Sequence, residues 1–160
     1  MSGFKRFLIS LFFAFLILII VLFFHYEANK KFYQLQYDDF SIFVMKGNQL
    51  RKTDILNLGE NAYILIYNIS GFERDSQTGK LDLNVILKVY TEDGIILSTK
   101  RVILPLIRDF QGEVIPQVKV IYVPKGLIPG IYKLEISIYD AIGEKTFSKS
   151  KRLIISGKIK

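Results

Sequence analysis

Cysteine and tryptophan are absent from this 160-residue sequence, and histidine occurs once, at His25. Without cysteine the chain can form neither a disulfide nor a thiolate metal site, so packing alone must stabilise the fold. His25 stands at the end of a long apolar segment and is interpreted as an interfacial polar residue beside Tyr26. A Ser-His-Asp triad, a Cys-His pair and a His-based metal site are therefore all excluded within one chain.

Carboxylates are the remaining candidates for catalysis, and their spacing is unfavourable. The neighbouring acids Asp38–Asp39 and Glu92–Asp93 would point to opposite faces of a strand, so they do not converge. Asp75 and Asp82 flank a turn, but their spacing does not match a calcium-binding loop of the EF-hand type. We predict no catalytic residue, no cofactor and no metal, and we do not expect an enzyme. A glycosidase-like pair of distant acids is left open.

The longest uncharged run covers eighteen residues, from Phe7 to Phe24, and Ser10 is its only polar side chain. As a helix it would extend about 27 Å, close to the hydrocarbon thickness of a bilayer. We therefore predict a transmembrane signal anchor at 7–24, after a short cytoplasmic tail at 1–6. A buried core helix is the alternative, although such a helix would normally carry a polar stripe.

A cleaved signal peptide is the stronger alternative, since Lys5 and Arg6 form a positive region before the apolar run. The run is longer than a usual signal-peptide core, and no pair of small residues follows it to define a cleavage site. The cationic N-terminal tail is short and should stay inside. We expect a single-pass membrane protein with a cytoplasmic N-terminus and an extracytoplasmic C-terminal domain.

The net charge of +7 is confined to the two ends of the chain. Residues 1–31 carry +3 and residues 148–160 carry +5, whereas the segment between them carries −1. A balanced domain body argues against nucleic-acid binding, which requires a basic surface. The basic C-terminal segment is interpreted as a solvated last strand, with contact to anionic headgroups or an acidic partner as the alternative.

Beyond the apolar run the hydrophobic period changes from helical to two, which indicates β-strands. No helical pattern of useful length interrupts the strands, and turn sequences such as Glu92-Asp93-Gly94 separate them. We predict an all-β domain at 39–160, an antiparallel β-sandwich of about seven strands, joined to the anchor by a juxtamembrane linker at 25–38. The predicted strands are 40–46, 61–70, 81–90, 95–104, 117–123, 132–139 and 146–155.

The connection 104–110 is unusually apolar for a loop. Long ordered connections are often functional, and exposed apolar patches mark binding sites. Leu106, Ile107 and Phe110 therefore either cap the open end of the sandwich or form a partner-binding patch.

The stretch Leu127-Ile128-Pro129-Gly130-Ile131-Tyr132, followed by the alternating strand to Ile138, resembles the penultimate hairpin of immunoglobulin-like and fibronectin type III-like sandwiches. The resemblance covers about thirty residues. It implies that Tyr132 forms a tyrosine corner, with a buried ring and a hydroxyl bonded to upstream backbone. Antibody-type domains also contain a cysteine pair and a core tryptophan, and this chain has neither.

These features favour a membrane-anchored, Ig-like extracytoplasmic sandwich that acts as a structural or protein-interaction subunit of an envelope complex. Its expected partners are the lipid bilayer and other membrane or envelope proteins, with self-assembly left open. The alternative is a filament subunit, because the architecture resembles that of pilin-like and archaeal flagellin-like proteins, whose apolar helices bundle in the filament core. A carbohydrate-binding sandwich is weakened by the absence of tryptophan.

Overall fold

A computed structural model describes the backbone of residues 3–32 and 34–157, and leaves out the side chains of 3–10 and 27–32 and that of Leu106. The chain divides into two compact units, Met1–Gln34 and Leu35–Lys160. The first is a single helix and the second is a two-sheet β-sandwich.

Helix α1 extends over thirty residues, Gly3–Phe32. Leu, Ile and Phe dominate it, and no proline or further glycine interrupts it. Each described side chain of α1, from Leu11 to Tyr26, is exposed. Among the residues that the structure describes, no helix meets the length and apolarity needed to cross a membrane. The span predicted from the sequence begins at Phe7, and its side chains up to Ser10 lie outside the described residues.

The sandwich consists of a four-stranded sheet, in the order β2-β1-β4-β7, and a five-stranded sheet, in the order β3-β9-β8-β5-β6. Alternating burial along the strands directs one face of each sheet into a shared core, as in Leu134, Ile136 and Ile138 of β8. The strands are β1 Asp39–Lys46, β2 Gln49–Lys52, β3 Ile55–Asn57, β4 Ala62–Ser70, β5 Leu83–Tyr90, β6 Ile96–Ile103, β7 Val114–Tyr122, β8 Gly130–Asp140 and β9 Lys145–Ser156.

Two features correct the strand prediction. The described residues form nine strands instead of about seven, because β2 and β3 were not expected. These two strands have four and three residues, and β2 is exposed throughout, so neither carries an apolar alternation. The sandwich is also not wholly antiparallel, since β3 pairs with β9 in parallel.

The compact unit begins at Leu35, four residues before the domain start expected from the sequence. Helix α1 continues to Phe32, through much of the interval 25–38 that was expected to be a linker. Leu35 and Tyr37 are buried core residues, and the backbone of Gln36 pairs with that of Ser70. The alternation of apolar residues therefore starts before β1.

The sandwich has two ends, which we call the near end and the far end. The near end is where Gln36 meets Ser70, and it also carries the β8–β9 hairpin and the 104–113 connection. The far end carries the β5–β6 hairpin, the loop 123–129 and the last residue of β9, Ser156. A hydrogen bond from the Leu58 amide to the Ser156 carbonyl continues the β3–β9 pairing at the far end.

Candidate functional site

The 104–110 connection closes the near end of the sandwich. A single turn of 3-10 helix, Pro105–Ile107, begins it, and the Phe110 amide then bonds to the Ile107 carbonyl. Ile107 and Phe110 are partly buried and pack against the core. This packing favours the capping role, and the partner-binding patch stays a prediction. The side chain of Leu106, the third residue of that prediction, lies outside the described residues.

Arg74 holds this cap in place. Its guanidinium donates to the backbone carbonyls of Phe110, of Gly79 at 3.1 Å and of Gly112 at 2.8 Å. The guanidinium also lies over the ring of Phe72, 5.7 Å from its centroid. One side chain therefore fastens the 71–80 connection to the 104–112 connection, because bonds from a charged donor are stronger than neutral ones. No sequence pattern marks Arg74, since its acceptors are backbone carbonyls, which every residue carries.

A groove of about 560 Å³ lies between these two connections. Leu81 and Leu83 form part of its floor, and Arg108 and Lys80 stand among the residues that line it. Lys80 approaches Asp109 at 3.8 Å across an exposed surface, a contact of little energetic weight. The volume lies in the range of small-ligand pockets.

The acids around this groove are used for turns. The Asp75 carboxylate accepts bonds from the hydroxyl and amide of Thr78, each at 2.7 Å, and these contacts hold the pKa of Asp75 below its ordinary value. The Asp82 carboxylate accepts a bond from the Asn84 amide group. Among the residues that the structure describes, no three Asp, Glu, His or Cys side chains gather into a cluster that could hold a metal ion.

Asp140 is fully buried at the end of β8. One carboxylate oxygen accepts the Glu73 amide at 2.7 Å, and the other accepts the Ile142 amide at 3.1 Å. A buried carboxylate that accepts two backbone amides organises the loops that it joins. Asp140 thus fixes the β8–β9 hairpin against the 71–80 connection, and its solvent-inaccessible position makes it a structural residue.

Tyr132 has the geometry of a tyrosine corner. Its ring is buried, and its hydroxyl donates to the Ile128 carbonyl, four residues upstream, at 2.7 Å. This bond fastens the loop 123–129 to the first residues of β8 at the far end of the sandwich.

The N-terminal segment of the domain is attached to the opposite sheet by Tyr37. Its buried hydroxyl donates to the Ile136 carbonyl at 2.6 Å and accepts the Lys149 amide at 2.8 Å. Ile136 and Lys149 are partners across β8 and β9, so the hydroxyl bridges the two strands. Burial raises the pKa of Tyr37 well above its ordinary value. This contact was not expected, because Tyr37 lies in the interval 25–38 that was predicted to be a linker.

Two lysines of β9 complete the attachment. The Lys149 ammonium donates to the Asp38 carbonyl, and the Lys151 ammonium donates to the Phe40 carbonyl and contacts the Asp39 carboxylate at 2.7 Å. Partial burial raises the pKa of Asp39, but the bonds from Lys151 and the Phe40 amide outweigh burial and lower it overall. The near end is therefore fastened by backbone and charged contacts between the two sheets.

The sequence matches no protein-family model and no curated protein. Among solved structures, the chain is similar to the C-terminal domain of wzt, with 16% identity and a TM-score of 0.52. That match covers 78% of this chain and 75% of the other, and it supports the two-sheet β-sandwich. An immunoglobulin-like protein from Pseudomonas aeruginosa is also similar, with 15% identity and a TM-score of 0.41 over 77% of this chain and 97% of the other.

Proposed function

We propose that this chain is a single-pass membrane protein whose β-sandwich lies outside the cytoplasm and serves as a structural or protein-interaction subunit of an envelope complex. The observation that carries the proposal is the run Phe7–Phe24, eighteen residues without a charge. Lipid demands that a spanning segment satisfy its own backbone hydrogen bonds, and a continuous helix does so.

The exposed surface of α1 supports an apolar environment for the helix. Phe12, Leu18 and Phe24 lie on different sides of α1, and all three are exposed. Transfer of such side chains out of water is favourable by about 1.5–3 kcal/mol each. A helix that is apolar on every side is typical of a buried or membrane segment.

A binding role, in place of catalysis, is supported by the use that the domain makes of its polar groups. Arg74, Asp140 and Tyr37 all bind backbone groups, and the Asp75 carboxylate at the groove accepts bonds from Thr78. The similarity to a domain of wzt concerns the sandwich alone and brings no activity with it.

A filament subunit is the second candidate function. The observation that favours it is the thirty-residue helix Gly3–Phe32, which the β-rich unit follows at Leu35. In this alternative the helices of many copies bundle together, and residues before Phe7 are removed.

Site-directed labelling tests the proposed topology, because the natural chain has no cysteine to interfere. Ser2→Cys marks the N-terminal tail, and Ser76→Cys marks an exposed loop of the domain. The cells are first stripped of any wall or outer membrane, while the membrane that holds the chain stays closed. We expect a membrane-impermeant maleimide to label the Ser76→Cys variant in these cells and the Ser2→Cys variant only after lysis. Labelling of both variants only after lysis would place the domain in the cytoplasm and overturn the proposal.

A further inference from the structure

Exposed apolar side chains of the domain collect at the far end of the sandwich. At the near end only Ile103 and Val114 are large, apolar and exposed among the described residues. At the far end the exposed apolar residues are Met45, Leu50, Ile55, Ile95, Ile96, Leu97, Ile121, Ile128 and Ile131. Exposed apolar side chains concentrated at one end of a domain indicate an interaction site.

Part of this surface is a row of three isoleucines across neighbouring strands. Ile154 of β9 pairs with Ile131 of β8 on one side and with Ile55 of β3 on the other. Their sequence neighbours Leu153 and Tyr132 are buried, so the three isoleucines share the outer face of the five-stranded sheet. They form a compact apolar stripe close to the end of the sheet.

Two loop tips carry the most exposed isoleucines of the far end. Ile128 is 73% exposed in the loop 123–129, and Ile95 is 62% exposed in the β5–β6 hairpin. The Tyr132 hydroxyl holds the Ile128 carbonyl, and the neighbouring Leu127 is buried, so the loop is fixed with the Ile128 side chain turned outward. Both loop tips thus present an apolar side chain to any partner that binds the far end.

Cations accompany these apolar groups. Lys125 precedes Ile128 in the same loop, and Lys133 and Arg152 pair across β8 and β9, two residues from the isoleucine row. All three side chains are exposed.

Acids are fewer at the far end than at the near end. Glu92 and Asp93 lie in the hairpin beside Ile95, Asp54 precedes Ile55, and Glu60 approaches Lys46 at 3.8 Å. The other described acids of the domain, except Glu135 in the middle of β8, gather towards the near end. These are Asp38, Asp39, Glu73, Asp75, Asp82, Asp109, Glu113, Asp140 and Glu144. The electrostatic field of the domain is therefore directed along its strands, and the far end, which carries the exposed isoleucines, is the more positive end.

We propose that the far end of the sandwich docks on the surface of an anionic lipid bilayer, with Ile95 and Ile128 entering the headgroup region and Lys125, Lys133 and Arg152 contacting lipid phosphates. Interfacial binding depends on buried apolar area together with attraction of cations to anionic lipids, and the far end supplies both. The inference rests on the proposed function for a membrane-bound chain, and because the chain enters the domain at the near end, the bilayer that the far end meets is a second membrane.

Protein partners fit this surface less well. Protein interfaces are enriched in aromatic side chains, methionine and arginine and are depleted in lysine, whereas the two loop tips present isoleucine beside lysine or acid. A second copy docked through its near end would match the charge but would offer only Ile103 and Val114 to the isoleucines.

Co-flotation of full-length protein with lipid vesicles tests the proposal. The chain is first reconstituted in nanodiscs of neutral phosphatidylcholine, so that the added vesicles are the only anionic surface. The probes are vesicles of phosphatidylcholine alone and vesicles with about 30% phosphatidylglycerol. We expect the loaded nanodiscs to float with the anionic vesicles and not with the neutral ones.

Matched variants assign the binding to the far end. Ile95→Ser combined with Ile128→Ser should lower the co-floating fraction about tenfold. The control is Ile103→Ser combined with Val114→Ser, which removes exposed apolar groups of the near end and should leave binding unchanged. Lys125→Glu should weaken binding about fivefold or more, and Arg108→Glu should not.

Several outcomes would overturn the proposal. They are equal binding to neutral and anionic vesicles, equal losses in the far-end and control variants, and no binding at all, which would favour a protein partner. Pairing of loaded nanodiscs without vesicles, lost in the Ile95/Ile128 variant, would show that the far end binds a second copy instead. Failure of the chain to enter nanodiscs would contradict the membrane anchor but not the docking. The docking is then tested on the free chain, by comparing its vesicle binding with that of the Ile95/Ile128 variant.

Discussion

The hydroxyl of Tyr37 donates to the carbonyl of Ile136, 2.6 Å away and 99 residues later in the sequence. The same oxygen accepts the amide of Lys149, so one side chain from the start of the domain links the two longest strands of the opposite sheet. A force that pulls on the chain before Leu35 therefore acts early on the two hydrogen bonds of the Tyr37 hydroxyl. The attachment is therefore a suitable base for a domain that follows the anchor we propose.

Replacement of Tyr37 by Phe tests this link. The ring remains, but the Ile136 carbonyl and the Lys149 amide lose their shared partner in a buried position. We expect a loss of about 1–3 kcal/mol in the free energy of unfolding, the cost of leaving a buried polar group unsatisfied. Chemical denaturation of the full chain in detergent measures it. Tyr63→Phe on the outer face of β4 is the control, and equal stability of both variants would contradict the bridging role.

Asp140 is expected to be a strong determinant of stability at the near end. In Asp140→Ala the amides of Glu73 and Ile142 lose their acceptor, and we expect a loss of about 2–4 kcal/mol. Asp140→Asn retains an acceptor oxygen and should recover part of this loss. Thermal unfolding of the three proteins compares them, and stability like that of the natural chain in Asp140→Ala would refute the assignment.

Lys100 protects an edge of the five-stranded sheet. It lies opposite the buried Leu87, on the inner side of the edge strand β6, and its ammonium donates to the Ile121 carbonyl of β7 at 2.9 Å. Inward charges and bulges discourage the pairing of sheet edges, and β6 also has an irregular register beside Tyr90. We expect Lys100→Val to form dimers or larger species through β6. Analytical ultracentrifugation measures the change, and Thr99→Val on the outer side of β6 should remain unaffected.

Acid should destabilise the domain partly through Asp39. Its pKa is lowered in the folded protein by Lys151 and the Phe40 amide, so folding favours the charged carboxylate. The contribution is present above the unfolded pKa of about 3.9 and is lost as the pH falls through the folded pKa. Asp39→Asn should therefore show a shallower fall in stability below about pH 4 than the natural chain. Acid titrations of both proteins, monitored by circular dichroism, measure how stability falls with pH. Identical slopes for the natural chain and Asp39→Asn would contradict the role of Asp39.

The strands with strong alternation could be predicted from the sequence, whereas the contacts that fix their ends could not. Strand β4 was predicted at 61–70 and extends over Ala62–Ser70, because its apolar residues face a core on one side and strands on both edges. Strands β2 and β3 escaped prediction because tertiary pairing, and not local pattern, forms them.

The candidate site was less accessible to sequence reasoning. The apolar character of Ile107 and Phe110 indicated a cap or a patch, and their partial burial against the core, which the sequence does not show, favours the cap. Arg74 and Tyr37 act on backbone groups far away in the sequence, so no local motif marks them. The concentration of exposed isoleucines at the far end likewise depends on the order of the strands, which alternation alone does not give.

The intact mass of the chain extracted from its native membrane tests the membrane anchor most directly. We expect a mass that includes residues 7–24, with or without the initiator methionine, in the membrane fraction. Loss of residues 1–6 would instead support the filament alternative, with a processed helix in the filament core. A mass that lacks the whole segment up to Phe24 would contradict the anchor and make the β-sandwich a released domain.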